Sequence, residues 1–232
     1  MSLFLTGADL AWGQIKSQNN QLLFWPQYQF SGKISNKWAV QADASYRVND
    51  FNKRDQSVIR GGLVFNPSPA ISFTGGYAYF LHFPTDPGVL DIRREHRPWQ
   101  QITLNSDLDK LQIQHRYRLE ERYINNSFNF RGRYQINLQY PLKGKKIAVH
   151  TPYLLLTDEI MFNFGKKIVY NHFDQNRIHL AVGYWFSTSI SATIGYMYIY
   201  QQRSSGDKFE NIHAPRLVIH HSMDFRKKEG KE

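Results

Sequence analysis

Arginine recurs at every second position in two neighbouring stretches of the chain: Arg116, Arg118 and Arg122, with Glu120 between them, and then Arg131 and Arg133. Guanidinium groups on one side at that spacing could do one of two things. They could attract and hold anions as a basic wall, or they could pair with carboxylates such as Glu120 and Glu159 in a self-neutralising network, to which arginine's multi-donor fork is suited. Spacing alone leaves both open. A second grouping, His220-His221-Ser222, has the residue types of nucleophilic catalysis, since His220 and Ser222 would share one face of a strand. No third residue is placed to orient that histidine, and the phase of Leu217, Ile219 and Phe225 turns the pair to the polar side. No residue is therefore assigned a catalytic role. The nine histidines show no metal-ligand spacing, and neither a metal nor a cofactor is expected.

A period of two demands strands. From Leu111 to Tyr140 the chain reads as two arms of unlike faces, with Leu111, Ile113, Tyr117, Leu119, Tyr123 and then Phe128, Phe130, Tyr134, Ile136, Leu138, Tyr140 on one side. A helix would scatter these around its circumference. The arms are about twice the length of an average globular strand, as in a transmembrane β-barrel. A soluble sandwich or lipocalin-like barrel is the alternative, its apolar face turned to a second sheet or a ligand.

Composition narrows the field. An aromatic content of 15% with a mean hydropathy of −0.54 combines many Tyr and Phe with an average polar character, as lipid outside and water inside would require. No run of 18 apolar residues exists, which excludes transmembrane helices. The absence of cysteine removes disulfides and thiolate chemistry. A formal charge of +10 raises nucleic acid as a partner, but the basic residues form no single helix or tail, zinc-finger spacing or phosphate loop. Nucleic acid is not expected.

Taken in order, residues 1–21 read as an N-terminal strand and loop or a signal remnant, 22–225 as the barrel and 226–232 as a basic tail. Met1 to Gln14 lacks the basic and apolar regions of a signal peptide. Alternating segments follow at Leu22–Phe30, Trp38–Val48, Gln56–Phe65, Ile71–Phe83 and Trp99–Asp107, with Pro84–Arg97 irregular. After the opening pair come Ala148–Phe164, a loop at Gly165–Asp174, Gln175–Phe186, Ser189–Gln201 and Glu210–Phe225. Short and long connections alternate, with Pro141–Lys146 among the short turns, which predicts short periplasmic turns and longer extracellular loops. Because bacterial barrels usually have an even strand count, Phe4–Gly13 would supply a strand beyond the eleven counted. The expected fold is a single antiparallel all-β transmembrane barrel of about twelve strands, within roughly 10 to 12.

Several segments in this order resemble a family of short Gram-negative outer-membrane β-barrels classed as a domain of unknown function: His96-Arg97-Pro98-Trp99-Gln100, His115 to Arg122, Arg131-Gly132-Arg133-Tyr134, Asp158 to Phe162, Asn176-Arg177 and Gly195-Tyr196-Met197-Tyr198. The resemblance implies a bacterial outer-membrane location and carries no established activity. The last strand, with Phe225, resembles the signal read by barrel-assembly machinery, although a basic tail follows it. The expected lumen receives Arg47, Arg60, Arg116, Arg118, Arg122, Arg131, Arg133, Arg177 and Arg216 against Asp43, Glu120, Glu159 and Asp224. Its charge network is centred on Arg116, Arg118, Glu120, Arg122, Arg131, Arg133, Glu159 and Arg177. His115, Glu121 and Asp158 fall on the apolar face, and a phase-shifting β-bulge is the expected cause. The function expected is structural or porin-like, passing small anionic solutes among outer-membrane lipids without catalysis. A lipid-facing hydrolase, phospholipase- or deacylase-like, is the alternative.

Overall fold

The computed structural model describes residues 17–50, 53–84, 91–125 and 127–226. They form eleven strands and no helix: β1 (Ser17–Lys33), β2 (Trp38–Asn49), β3 (Lys53–Ser68), β4 (Ile71–His82), β5 (Arg93–Leu108), β6 (Leu111–Ile124), β7 (Ser127–Pro141), β8 (Pro152–Phe164), β9 (Phe173–Trp185), β10 (Ile190–Gln202) and β11 (Lys208–Asp224). Each strand pairs antiparallel with its sequence neighbour. The sheet then closes on itself through β1 and β11.

That closure is parallel, running from Ser17↔Lys208 to Lys33↔Asp224. With an odd number of alternating strands the first and last point the same way, so parallel pairing is the one geometry that leaves no open edge. Eleven strands fall within the expected range, and the ring closes without an even count. The strand expected at Phe4–Gly13 lies outside the described residues. Four prolines inside strands interrupt the pairing without breaking the ring, Pro67 at the shift from Phe65↔Phe73 to Ser68↔Ile71 and three others. On the β2 side of Pro26 it passes from Phe24↔Val48 to Gln27↔Ser45, beside Pro98 from His96↔Tyr123 to Trp99↔Glu120, and beside Pro215 from Leu22↔His213 to Trp25↔Arg216. Proline has no N–H to give at these points.

The faces are inverted relative to a water-soluble barrel. Inward positions include Glu95, Arg97, Glu120, Glu159, Arg131 and His179, all buried, while Ile59, Leu63, Ile102, Leu119, Leu156, Ile178, Leu180, Val182, Ile194 and Ile219 are exposed outward. Aromatic residues band this aliphatic waist near both rims. One band includes the ring pairs Trp38–Phe65, Phe30–Phe225 and Tyr184–Phe186, the other Tyr123–Phe128, Phe128–Phe130 and Phe173–Tyr200.

Several boundaries differ from expectation. β1 begins at Ser17, ahead of Leu22, and β5 begins at Arg93, taking in much of the stretch read as irregular. At one rim the connections are 34–37, 69–70, 109–110, 142–151 and 186–189; at the other they are 50–52, 83–92, 125–126, 165–172 and 203–207. Segment 142–151 is long where Pro141–Lys146 was expected to be a tight turn. Asp109 and Asn125, with φ of 52° and 51°, close the two-residue turns in the left-handed region that Asp and Asn tolerate.

Trp99 lies flat against the inner wall, 1% exposed, because Gly62 and Gly76 opposite it have no side chain. A Cβ on Gly76 would meet Trp99 Cζ2 at 2.3 Å and the Gly61 carbonyl at 2.4 Å, whereas one on Gly75 would meet nothing within 4 Å. Gly76→Ala is expected to destabilise the barrel by about 1–3 kcal/mol, and Gly75→Ala to change stability by less than about 0.5 kcal/mol, as read from urea unfolding in detergent. The parallel seam has its own check, made clean by the absence of native cysteine. Ser31 and Ser222 are direct partners across β1 and β11, within disulfide reach. Oxidised Ser31→Cys/Ser222→Cys protein is expected to migrate faster than its reduced form on a denaturing gel, and an unchanged mobility would contradict the closure.

Candidate functional site: the charged lumen

The period of two that builds the strands also delivers charged side chains to the interior. Glu95, Arg97, Trp99, Gln101 and Thr103 alternate inward along β5, each buried. From β6 come Arg116, Arg118, Glu120 and Arg122, from β7 Arg131 and Arg133, from β8 Glu159, and from β9 Arg177; all eight line the lumen or its buried wall.

Three carboxylates organise them. Glu120, 1% exposed, accepts from Arg97 Nη1 at 2.8 Å and Arg133 Nη1 at 2.6 Å, with Arg118 Nη1 at 3.8 Å. Glu159 accepts from Arg133 Nη2 at 2.7 Å and from Arg116, with Arg177 Nη1 at 3.6 Å. Glu95, fully enclosed, accepts from Arg97 Nη2 and Arg122 Nε, both at 2.6 Å, and lies 2.9 Å from His82 Nε2. Arg133 thus joins Glu120 to Glu159, and Arg97 joins Glu120 to Glu95, so one chain of ion pairs crosses β5, β6, β7 and β8. Charges this deeply buried are tolerated when each carboxylate is multiply paired.

Two further pairs flank the chain. Arg131 donates to Asp174 at 2.9 Å and to Asn163 at 3.1 Å, and Arg60 grips Asp43 through Nε and Nη2 at 2.7 and 2.8 Å. Arg118 donates twice to Gln101 and stacks 4.3 Å over the Trp99 ring.

The sequence reading did not single out Glu95, Arg97 and Asp174. Glu95 and Arg97 stand in the segment read as irregular, and Asp174 in one read as a loop. The signal was the parity shared by Glu95, Arg97, Trp99 and Gln101, hidden by the prolines and charges before it. Asp224, expected in the lumen, instead sits exposed at the rim and pairs with Arg226 at 2.5 Å, because β11 ends there.

His115, Glu121 and Asp158 do face outward, and no bulge puts them there. Register shifts occur at Arg47/Val48, Phe65/Ser68 and Met161/Phe162, whereas β6 keeps one register against both neighbours. Hydrogen bonding satisfies them instead. His115 Nδ1 lies 2.9 Å from Tyr134 OH, Asp158 accepts from Asn176 at 2.6 Å and Glu121 from Gln100 at 3.4 Å. The same device recurs at Tyr28–His221 (2.7 Å), Tyr77–His96, Tyr196–His213 and Tyr184–His150 (3.3 Å). His213 and His221 are thereby outward, while His220 lines the lumen. Ser222 Oγ donates to the Thr188 carbonyl at 3.3 Å, and no hydrogen bond joins it to His220 among the described residues. No group of three or more His, Asp or Glu there could hold a metal ion.

A cavity of about 530 Å³ runs inside the ring and reaches residues of both rims, from Gln29, Gln139 and His220 at one end to Gln21, Ile124 and Arg203 at the other.

Residues 22–210 match the family described as a protein of unknown function (DUF2490). The chain belongs to this family. The match spans β2 to β10 whole and most of β1, and so takes in every member of the DUF2490 chain's ion-pair network. The siderophore receptor PirA from Pseudomonas aeruginosa is similar in structure at 13% sequence identity and a TM-score of 0.30, over 73% of this chain and 32% of the receptor, so the chain spans about a third of that receptor's length. No curated protein matches the chain.

Glu120→Gln removes the carboxylate that Arg97 and Arg133 share, leaving each with a single charged partner, Glu95 and Glu159, and the interior one negative charge short. It is expected to lower the unfolding free energy in detergent by about 3–5 kcal/mol. Arg226→Gln, which breaks the exposed pair with Asp224, is expected to leave the unfolding midpoint where it was.

Proposed function

We propose that this DUF2490 chain is a bacterial outer-membrane β-barrel whose narrow, net-basic lumen passes small solutes, anions in preference to cations, without catalysis. The observation that carries the reading is the inverted ring itself: an apolar outer waist between aromatic bands, around an interior of arginine and carboxylate. Such a surface calls for hydrocarbon outside, and strands of 12 to 17 residues exceed the roughly 9–11 needed to cross it. In this setting the lipids of the outer membrane are the lateral partners, and the aromatic C-terminal strand is presented to barrel-assembly machinery. The rim carrying 69–70 and 109–110 would face the periplasm, with 83–92 and 165–172 outside.

Selectivity follows from charge. Arginines outnumber carboxylates along the cavity, so the interior potential is positive and cations meet a barrier.

Protein refolded in detergent is expected to show heat-modifiable migration and β circular dichroism, and in planar bilayers to give conductance whose reversal potential in a salt gradient favours chloride over potassium. A monomer fully soluble in plain buffer would sink the membrane reading. Cation preference, or no conductance at all, would sink the passage.

A further inference from the structure

The interior charges are not evenly neutralised. Glu95, Glu120, Glu159 and Asp174 all project from β5, β6, β8 and β9, where they hold the arginines described above. On the opposite arc, around the parallel seam, Asp43 is held by Arg60 and Glu210 by Arg203, so that Arg47 and Arg216 form no ion pair among the described residues, and Arg177, reaching in from β9, keeps only a 3.6 Å approach to Glu159. These three converge on one side chain. The guanidinium carbons of Arg47, Arg216 and Arg177 lie 3.7, 4.8 and 5.3 Å from the centre of the Trp25 ring.

Register explains the convergence. Arg216 is the direct partner of Trp25 across the seam, and the pairs Phe24↔Val48 and Gln27↔Ser45 place Arg47 opposite Trp25 on the other side. Three like charges around one indole repel each other. Stacking on the ring offsets part of that, and Arg216 donates through Nη2 to Gln27, but donors remain unused: the Nε groups of Arg47 and Arg216 and Trp25 Nε1 have no hydrogen-bond partner among the described residues. Further out along the same arc, the buried His179 and Thr193, each 2% exposed, leave Nε2 and Oγ1 unpartnered. Such groups are costly to bury unless something meets them. Next to Trp25 lies an apolar cluster of Leu23, Met197, Ile199, Ile212 and Ala214.

We infer that Arg47, Arg177 and Arg216 around Trp25 form an oxyanion site in the lumen wall, for the carboxylate or phosphate group of a small organic acid whose apolar part rests on Leu23, Ile199 and Ile212. The inference rests on the reading of the lumen as an anion-favouring interior, and turns it from a diffuse field into one binding position. Guanidinium forks suit both oxyanions, while the apolar floor favours an organic acid over a bare inorganic ion.

Equilibrium dialysis of the full chain, refolded in detergent at constant ionic strength in chloride, tests it with labelled inorganic phosphate and labelled butanoate. Saturable binding of one anion per chain is expected, with butanoate the tighter if the acid is a carboxylate and phosphate the tighter if it is a phosphate ester. Arg47→Gln and Arg216→Gln should each weaken binding about tenfold or more. Arg60→Gln removes the same charge from the same lumen but from an arginine already held by Asp43, and should change binding by less than about twofold. Where a Gln variant loses heat-modifiable migration, Arg47→Lys and Arg216→Lys retain the charge and are expected to bind with intermediate affinity. Equal loss in Arg60→Gln, insensitivity to all these substitutions, or no saturable binding overturns the site. Bilayer recordings separate the two readings: anion selectivity without saturable binding keeps the passage and removes the site, whereas saturable binding without conductance keeps the site and removes the passage.

Discussion

The closed hydrogen-bond ladder is the constraint on which everything else in this molecule depends. In a hydrocarbon setting an unpaired backbone N–H or C=O costs several kcal/mol, so a sheet is viable there only if it has no edge. Eleven alternating strands meet that demand by accepting a parallel seam between β1 and β11, whose slanted bonds are slightly weaker than antiparallel ones. Side chains reinforce the join. Tyr28 reaches His221, Asn211 donates to Asn20 at 3.2 Å, and Arg216 donates to Gln27, all across the seam. The same closure forces each strand residue to face either outward or into the lumen, and from that choice the two chemistries of the molecule follow.

Inside, the difficulty is filling a ring that is too wide for nothing and too narrow for much. Arginine meets it with one side chain that is long, always charged and able to bridge two carboxylates. Arg97 and Arg133 each do so, which ties four adjacent strands together from within and fills much of the interior on that side. Outside, the polar residues have been matched in pairs. Four cross-strand tyrosine–histidine contacts, and a fifth from Tyr184 to His150 in the connection 142–151, give each imidazole a partner that is itself largely apolar, an economical way to carry a polar ring on an apolar face.

How much of this could be read from the sequence depended on whether the feature was local. Alternation fixed the facing of Arg116, Arg118, Glu120, Arg122, Arg131 and Arg133 because facing is a property of a single strand. Pairing partners are not. That Glu120 meets Arg97 follows from β5 starting six residues earlier than its clean alternation suggested, since the prolines and charges of 84–97 mask the period. The seam was legible still less, because nothing in Trp25 or Arg216 says that the first and last strands meet, and a rule favouring even strand counts pointed elsewhere. His115 and Asp158 show the opposite error. Their polarity on an apolar face suggested a slipped register, whereas a hydroxyl or amide on the next strand accounts for each without one.

The seam and the charge asymmetry are connected. The carboxylates that each hold several arginines or the buried Arg131 stand on β5, β6, β8 and β9, strands in the antiparallel body of the ring, whereas Asp43 on β2 is taken up by Arg60 alone among the arginines. Around the middle of the seam the inward positions of β1 and β11 hold Trp25, Gln27, Arg216 and His220, and the acid that β11 carries inward, Glu210, stands nearer the rim and pairs with Arg203. Trp25 takes the place a carboxylate would otherwise occupy, offering the face of an aromatic ring to guanidinium groups on both sides. A ring attracts a cation but cannot accept its hydrogen bonds as a carboxylate does. The arrangement therefore holds the arginines in position while leaving the Nε donors of Arg47 and Arg216 without an acceptor among the described residues, whereas the carboxylates of β5, β6 and β8 each take up several arginine donors.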